Sequence, residues 1–168
     1  MGRLRQVPRS ETDDPVVLGM YDLLFGKDVD PVTDQKMGTA TGSEGDWWTT
    51  YALSPDIMEH AVAGFVMYRS PNRVVDGVVR ELAQTRIGWC AGSKFVFSQH
   101  VQALRGLGAD PAKIRDITAW QTSDAYTRAE RAVLAYADAI ALDAGRVSDE
   151  LFAALREELS DEEIFELT

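Results

Sequence analysis

Residues 81–100 read ELAQTRIGWCAGSKFVFSQH. This stretch holds a carboxylate, Glu81, an imidazole, His100, and the one cysteine of the chain, Cys90. Acid–base chemistry near neutral pH most often uses a histidine, a carboxylate or both. If the protein is an enzyme, we therefore expect its site to lie in this stretch.

Length and composition predict a globular protein with one domain. The chain has 168 residues, of which 45% are hydrophobic, and this suffices for a sizeable core. The opening residues, MGRLRQVPRSETDD, are charged and polar, unlike a secretory signal, and the uncharged runs are too short to span a bilayer. We therefore predict a cytoplasmic protein without a membrane partner.

Charge and cysteine content argue against two classes of site. The net charge of −10 repels phosphate backbones, and the arginines are dispersed, so we expect no nucleic-acid partner. One cysteine cannot form an intrachain disulfide, and with only two histidines a His/Cys zinc site is improbable. We predict no metal and no cofactor.

The chain divides by its pattern into an arm, residues 1–45, and a helical domain, residues 46–168. The arm carries three prolines and the cluster MGTATGSEGD at 37–46, and helical spacing predicts one short helix within VVLGMYDLLFG. Such an arm packs on a neighbouring subunit or on its own domain, and a role as an active-site lid is the less favoured alternative.

Capping signals mark most of the predicted helix starts in the domain. Ser54-Pro55, Asp110-Pro111 and Ser148 each begin a helix, and Thr127 and Ser160 open capping boxes with the glutamates three residues later. Further helices are predicted from near residues 72–75 and over residues 93–104, with a bend between Gly88 and Gly92. No strand pattern competes, so we predict an all-α fold.

Helical spacing relates the candidate residues to one another. Ser93, Val96 and His100 lie within about 40° of each other on an ideal helix, and Cys90 lies about 80° from His100. Glu81 is nineteen residues before His100. It does not share that face on one straight helix, and it approaches His100 only if the chain bends.

Each candidate also has a structural interpretation. His100 is a structural histidine in that alternative, Glu81 a surface carboxylate paired with Arg80 or Thr85, and Ser93 a helix cap. Cys90, beside a tryptophan, is most often a small buried residue with an inert thiol.

The arrangement resembles the carboxymuconolactone decarboxylase family, which shares its fold with the alkylhydroperoxidase D-like proteins. The family signature is a Glu, eleven residues, Cys-x-x-Cys, three residues and a His. On this chain the Glu falls on Glu81, the His on His100, and the two cysteine positions fall on Ser93 and Val96. The flanking text resembles the branch that lacks the two cysteines, as in RELAQTRIGW, GDWWT, FVMYRSP, RGLG, PAKIRDI and RAERAVLAYADAI.

The resemblance implies an alkylhydroperoxidase D-like helical bundle that assembles as a trimer or hexamer, with a dimer as a further possibility. In the peroxidase branch, two cysteines reduce peroxide while the Glu and His relay protons. In the decarboxylase branch, the Glu and His act on a small carboxylated lactone without a cofactor. The absence of both thiols favours the second branch for this chain.

The leading hypothesis from this resemblance is a cofactor-independent lyase or isomerase acting on a small oxygenated carboxylate or lactone. His100 transfers the proton, and Glu81 orients His100. The further substrate-binding candidates are Ser93 and Arg86 for substrate oxygens, and Trp89, Phe97, Tyr68 and Cys90 as walls. Two alternatives stay open: an antioxidant with peroxiredoxin activity that uses Cys90, and a non-enzymatic oligomeric binding protein.

Overall fold

The computed structural model describes residues 3–34 and 46–168. It confirms the all-α prediction, because these residues form helices, turns and loops without a strand. Across these ranges, every helix is too short or too polar to cross a lipid bilayer. The described chain divides into two compact units, one ending at Pro71 and one beginning at Asn72.

The first unit joins part of the predicted arm to the helices that follow it. It contains a 3-10 helix at Arg9–Glu11, α1 (Pro15–Phe25), α2 (Asp46–Tyr51) and α3 (Pro55–Tyr68). Val17 and Tyr21 of α1, Trp48 of α2 and Met58 of α3 share one core. The sequence predicts a boundary at residues 45 and 46, whereas this shared core groups both sides of it. The cluster at residues 37–45 lies outside the described residues.

The second unit is a helical bundle built around its first helix. Its elements are α4 (Gly77–Cys90), α5 (Lys94–Gly106), α6 (Pro111–Asp116), a 3-10 helix at Ile117–Thr122, α7 (Arg128–Leu142), α8 (Asp149–Arg156) and α9 (Asp161–Leu167). Helix α4 packs against both α5 and α7. Its buried residues Leu82 and Ala83 enter two different hydrophobic clusters. Helix α4 is therefore covered on two sides.

The predicted capping boxes form as expected. The Thr127 hydroxyl accepts a hydrogen bond from the Glu130 amide, and the Glu130 side chain accepts one from the Thr127 amide. Ser160 and Glu163 make the same reciprocal pair at the start of α9. These bonds satisfy amides that the first turn of a helix leaves unpaired. They confirm both predicted starts.

The start of α4 and the bend after it differ from the predictions. Helix α4 begins at Gly77, not near residues 72–75, because the Asp76 carboxylate accepts hydrogen bonds from the Val78 and Val79 amides and fixes Asp76 as the cap. The helix continues through Gly88 to Cys90. The chain turns at Gly92, whose φ of 65° is a conformation that glycine adopts without steric cost.

Candidate active site

Two packed helices bring together the two residues that the sequence separates by nineteen positions. Glu81 lies in the second turn of α4, and His100 lies in the second turn of α5. The turn at Gly92 reverses the chain, so that α5 packs back along α4. The bend that Glu81 requires to reach His100 is therefore present.

Glu81 and His100 form a short, partly buried hydrogen bond. Oε2 of Glu81 lies 2.7 Å from Nδ1 of His100. Glu81 is only 3% exposed, whereas 21% of the His100 side chain is exposed. When Glu81 is ionised, its carboxylate can only accept a hydrogen bond, and a neutral His100 then carries its proton on Nδ1. Nε2 then keeps its lone pair, and among the described residues it has no hydrogen-bond partner.

Other polar groups surround Glu81 on its own helix. Nη2 of Arg80 lies 3.5 Å from Oε1, the carboxylate oxygen that does not contact His100. The Thr85 hydroxyl is fully buried and donates a 2.7 Å hydrogen bond to the Glu81 backbone oxygen. A buried carboxylate is costly unless it is paired and hydrogen-bonded. Glu81 pairs with Arg80 as the alternative predicts, but it is buried and not a surface carboxylate, and the pairing coexists with the contact to His100.

Ser93 occupies the N-cap of α5. Its hydroxyl oxygen accepts the Val96 amide at 3.3 Å, which links the two positions that fall on the cysteines of the signature. Neither residue is a thiol. Ser93 is therefore a helix cap, as the structural interpretation predicts, and its role as a substrate donor stays a prediction.

The aromatic candidates lie in different units. Trp89 of α4 and Phe97 of α5 are neighbours, with ring centroids 5.8 Å apart, and Trp89 is half exposed. Phe97 lies one turn before His100 on α5. Tyr68 is the last residue of α3 in the first unit. The roles of all three as substrate walls stay predictions.

Arg86 is fully engaged in a buried cluster. Its Nε and Nη2 donate to the two carboxylate oxygens of Asp138, at 2.5 and 3.1 Å. Its Nη1 donates to the backbone oxygens of Ile117 and Thr118, at 3.1 and 2.9 Å. Every nitrogen of the guanidinium thus has a protein acceptor. This arrangement favours a structural role for Arg86 over the predicted binding of substrate oxygens.

Cys90 belongs to the same cluster and not to the Glu81–His100 pair. Its Sγ lies 3.4 Å from Oδ1 of Asp138. Burial raises the pKa of the Cys90 thiol above its ordinary value, the Arg86 charge lowers it in part, and the bond to Asp138 and the charge of Asp138 raise it further. Thiol nucleophiles react as thiolates, so this environment disfavours reactivity.

Asp138 is the residue that the sequence analysis missed. Its carboxylate also accepts hydrogen bonds from Trp120 Nε1, at 3.0 Å, and from Gln121 Nε2, at 3.2 Å. Asp138 therefore joins α7 to α4 and to the second 3-10 helix. One signal was available, because Asp138 is the one charged residue within AVLAYADAIAL, residues 132–142. A carboxylate inside such an apolar run needs a buried partner.

The part of the chain that holds Glu81 and His100 matches a known protein family. The family model described as the carboxymuconolactone decarboxylase family matches residues 55–139, half of the chain. The chain belongs to the carboxymuconolactone decarboxylase family. Glu81, Ser93, Val96 and His100 all lie within the matched residues.

The chain is similar to one curated protein by sequence and to several solved structures by fold. An uncharacterised Bacillus subtilis protein, YdfG, is 30% identical over 94 residues, which are 55% of this chain and 64% of YdfG. The chain thus covers just under two thirds of that relative. A crystal structure from Agrobacterium tumefaciens, of a protein of unknown function described as a candidate AhpD antioxidant defence protein, is 28% identical, with a TM-score of 0.65 over 71% of this chain and 81% of that one.

A third comparison supports the fold alone. A variant of the debrominase Bmp8, solved in complex with 2,3,4-tribromopyrrole, has a TM-score of 0.72 at 21% identity, covering 99% of this chain and 81% of its own. Together these structures confirm the predicted alkylhydroperoxidase D-like fold.

Proposed function

We propose that the protein is a cofactor-independent lyase or isomerase that acts by acid–base chemistry on a small oxygenated carboxylate or lactone. The 2.7 Å contact between Glu81 and His100 carries this proposal, because it leaves a histidine nitrogen available next to a buried carboxylate. The family supports it, and so do the serine and valine that stand where the redox branch has thiols.

His100 is the group that moves the proton, and Glu81 holds it in place. With Nδ1 bonded to Glu81, Nε2 gives a proton to substrate when the imidazole is charged and accepts one when it is neutral. In a decarboxylation, the bond between the substrate and its carboxyl carbon breaks, CO2 leaves, and the electron pair moves into the conjugated lactone as a dienolate. Protonation of a dienolate carbon from Nε2 completes the reaction and leaves His100 neutral.

The test follows CO2 release from 4-carboxymuconolactone and, for a panel of small lactones and oxygenated carboxylates, deuterium uptake from solvent. We expect His100→Gln to abolish turnover of any compound that reacts and Glu81→Gln to lower kcat strongly. His60→Gln is the matched control, because His60 is an exposed histidine of α3 in the first unit. Unchanged turnover in His100→Gln would remove the proposal.

A thiol antioxidant is the second candidate, and one observation favours it. The Agrobacterium tumefaciens protein at 28% identity is described as a candidate antioxidant defence protein. Reduction of peroxide by this chain would have to use Cys90 and an external thiol to resolve the sulfenic acid. Consumption of an organic hydroperoxide with dithiothreitol present, lost in Cys90→Ser, would establish this activity. The high pKa of Cys90 argues against it.

We also propose that the protein forms a homo-oligomer, a trimer or a hexamer. Helix α3 carries large hydrophobic side chains that are at least 39% exposed within the described structure: Ile57, Phe65, Val66 and Met67. Exposed apolar surface of this kind marks protein–protein contacts. Light scattering coupled to size-exclusion chromatography measures the mass directly, and a monomer at micromolar concentration would contradict the proposal.

A protein that assembles but turns over none of the tested compounds, and gains thermal stability from none, would instead fit the non-enzymatic alternative.

A further inference from the structure

The carboxylate of Glu81 has two different neighbours, one at each oxygen. Oε2 contacts Nδ1 of His100 at 2.7 Å, and Oε1 lies 3.5 Å from Nη2 of Arg80. The Arg80 side chain is only 17% exposed, so water screens its charge weakly. Arg80 is thus the cation adjacent to the proposed proton-transfer pair.

A second carboxylate, Glu166 of α9, fixes the segment that leads into α4. Its Oε2 accepts the backbone amides of Val74 and Val75, at 2.8 and 3.1 Å, and its Oε1 lies 3.4 Å from Nη1 of Arg73. Only 11% of the Glu166 side chain is exposed. These contacts join residues that are about ninety positions apart in sequence.

Arg80 is electrostatically linked to Glu166 as well as to Glu81. The Val75 amide and then the Val74 amide lower the pKa of Glu166, and the charges of Arg73 and Arg80 lower it further, while burial opposes them. Glu166 on α9 and Arg73 in the preceding segment are thus charged groups near Arg80, whereas the ion-pair contact of Arg80 is with Glu81.

We propose that Arg80 is a positioning residue for the Glu81–His100 pair, and that Glu166 of the C-terminal helix anchors the segment that leads into α4. This inference rests on the proposed function. Arg80 holds the Glu81 carboxylate turned so that Oε2 faces Nδ1 of His100. The proton of a neutral His100 is then held on Nδ1, which leaves Nε2 as the nitrogen that exchanges a proton with substrate.

The tautomer of His100 tests the inference without a substrate. Long-range proton–nitrogen spectra of the imidazole distinguish a ring protonated on Nδ1 from one protonated on Nε2, and they are recorded in mildly alkaline solution, where histidine side chains are neutral. We expect the native chain to show the Nδ1–H form, Arg80→Met to shift toward the Nε2–H form, and Arg80→Lys to restore the native form. Glu166→Gln, which keeps the acceptor oxygen but loses the charge, is expected to give a smaller shift.

Arg105→Met is the matched control, because it removes one exposed arginine from α5 itself. A native tautomer in folded Arg80→Met, or an equal shift in Arg105→Met, would overturn the inference, and a native tautomer in Glu166→Gln would overturn the role of Glu166. If circular dichroism shows that Arg80→Met is unfolded, Arg80→Gln takes its place, and the same tautomer shift is expected. Since no turnover is measured, failure of this inference is distinguishable from failure of the proposed lyase or isomerase activity.

Discussion

Gly88 of α4 lies against the backbone of Phe97 in α5. A Cβ atom placed on Gly88 would stand 2.8 Å from the Phe97 nitrogen, 3.1 Å from its Cα and 3.0 Å from Cγ1 of Val96. Glycine is therefore the residue that allows the two helices to approach this closely. The same approach brings His100, one turn after Phe97, to Glu81.

Gly88→Ala is expected to destabilise the protein, although alanine is the better helix former. The added methyl group would meet backbone atoms, which cannot move aside as a flexible side chain can, so we expect a loss of about 1–3 kcal/mol in the free energy of unfolding. Urea denaturation measures it. Gly106→Ala is the control, because nothing lies within 4 Å of a Cβ there, and it should be neutral or slightly stabilising. Equal stability of the two variants would contradict the close approach.

Asp138→Asn is expected to be strongly destabilising. It removes the charge that compensates buried Arg86, and breaking a buried ion pair on one side costs about 3–5 kcal/mol. Asp143→Asn offers the comparison at the end of the same helix, where the ion pair with Arg146 is exposed and worth about 0.2–1 kcal/mol. Urea denaturation of both variants gives the two values, and a loss for Asp138→Asn no larger than that for Asp143→Asn would refute the structural role of the cluster.

Paired cysteines at positions 93 and 96 are expected to form a disulfide. These positions are the N-cap and the third residue of α5, and residues three apart on a helix have Cβ atoms about 5–6 Å apart, close enough for small backbone shifts to reach disulfide geometry. The measurement is a count of free thiols in denaturant for Ser93→Cys/Val96→Cys, before and after reduction. One thiol before reduction and three after would fit the expectation, whereas three at both stages after air oxidation would contradict it.

Cys90 is expected to react slowly with thiol reagents in the folded protein. Its raised pKa keeps the thiolate fraction low at neutral pH, so the labelling rate should lie well below that of a free cysteine and rise only above the ordinary thiol pKa of about 8.5. Asp138→Asn removes the carboxylate charge that helps to raise the pKa of Cys90, so it should speed the labelling, provided that the variant is folded. Labelling of the native protein at the rate of free cysteine would show that the thiol is not protected.

Stability is expected to fall in alkaline solution because of Tyr126. Burial, and then the charges of Asp116 and Glu130, raise the pKa of Tyr126 to about 12. The unfolded state loses this proton near pH 10, so the stabilisation from Tyr126 is complete below about pH 10 and is lost as the pH rises toward 12. Tyr126→Phe should reduce this slope in urea denaturation between about pH 9 and 11. Identical slopes for the native chain and the variant would exclude this role.

The sequence predicted local features better than the contacts between elements. Helix starts at Thr127 and Ser160 were correct, because each capping box closes hydrogen bonds within four residues of chain. The start of α4 was placed too early. Its position depends on the Asp76 cap, and the segment before it is held by Glu166, about ninety residues away.

In the candidate site, too, local features are predictable from the sequence and contacts between helices are not. The amino-acid sequence shows which residues are available, since the spacing from Glu81 to His100 and the absence of thiols at 93 and 96 can be read directly. Which of these residues meet depends on how the helices pack. Glu81 joins His100 because α4 and α5 pack closely at Gly88, whereas Arg86 and Cys90 turn to Asp138, 52 and 48 residues away. Spacing along one helix fixes a direction for each side chain, but a partner on another helix depends on how the cores of the two helices pack.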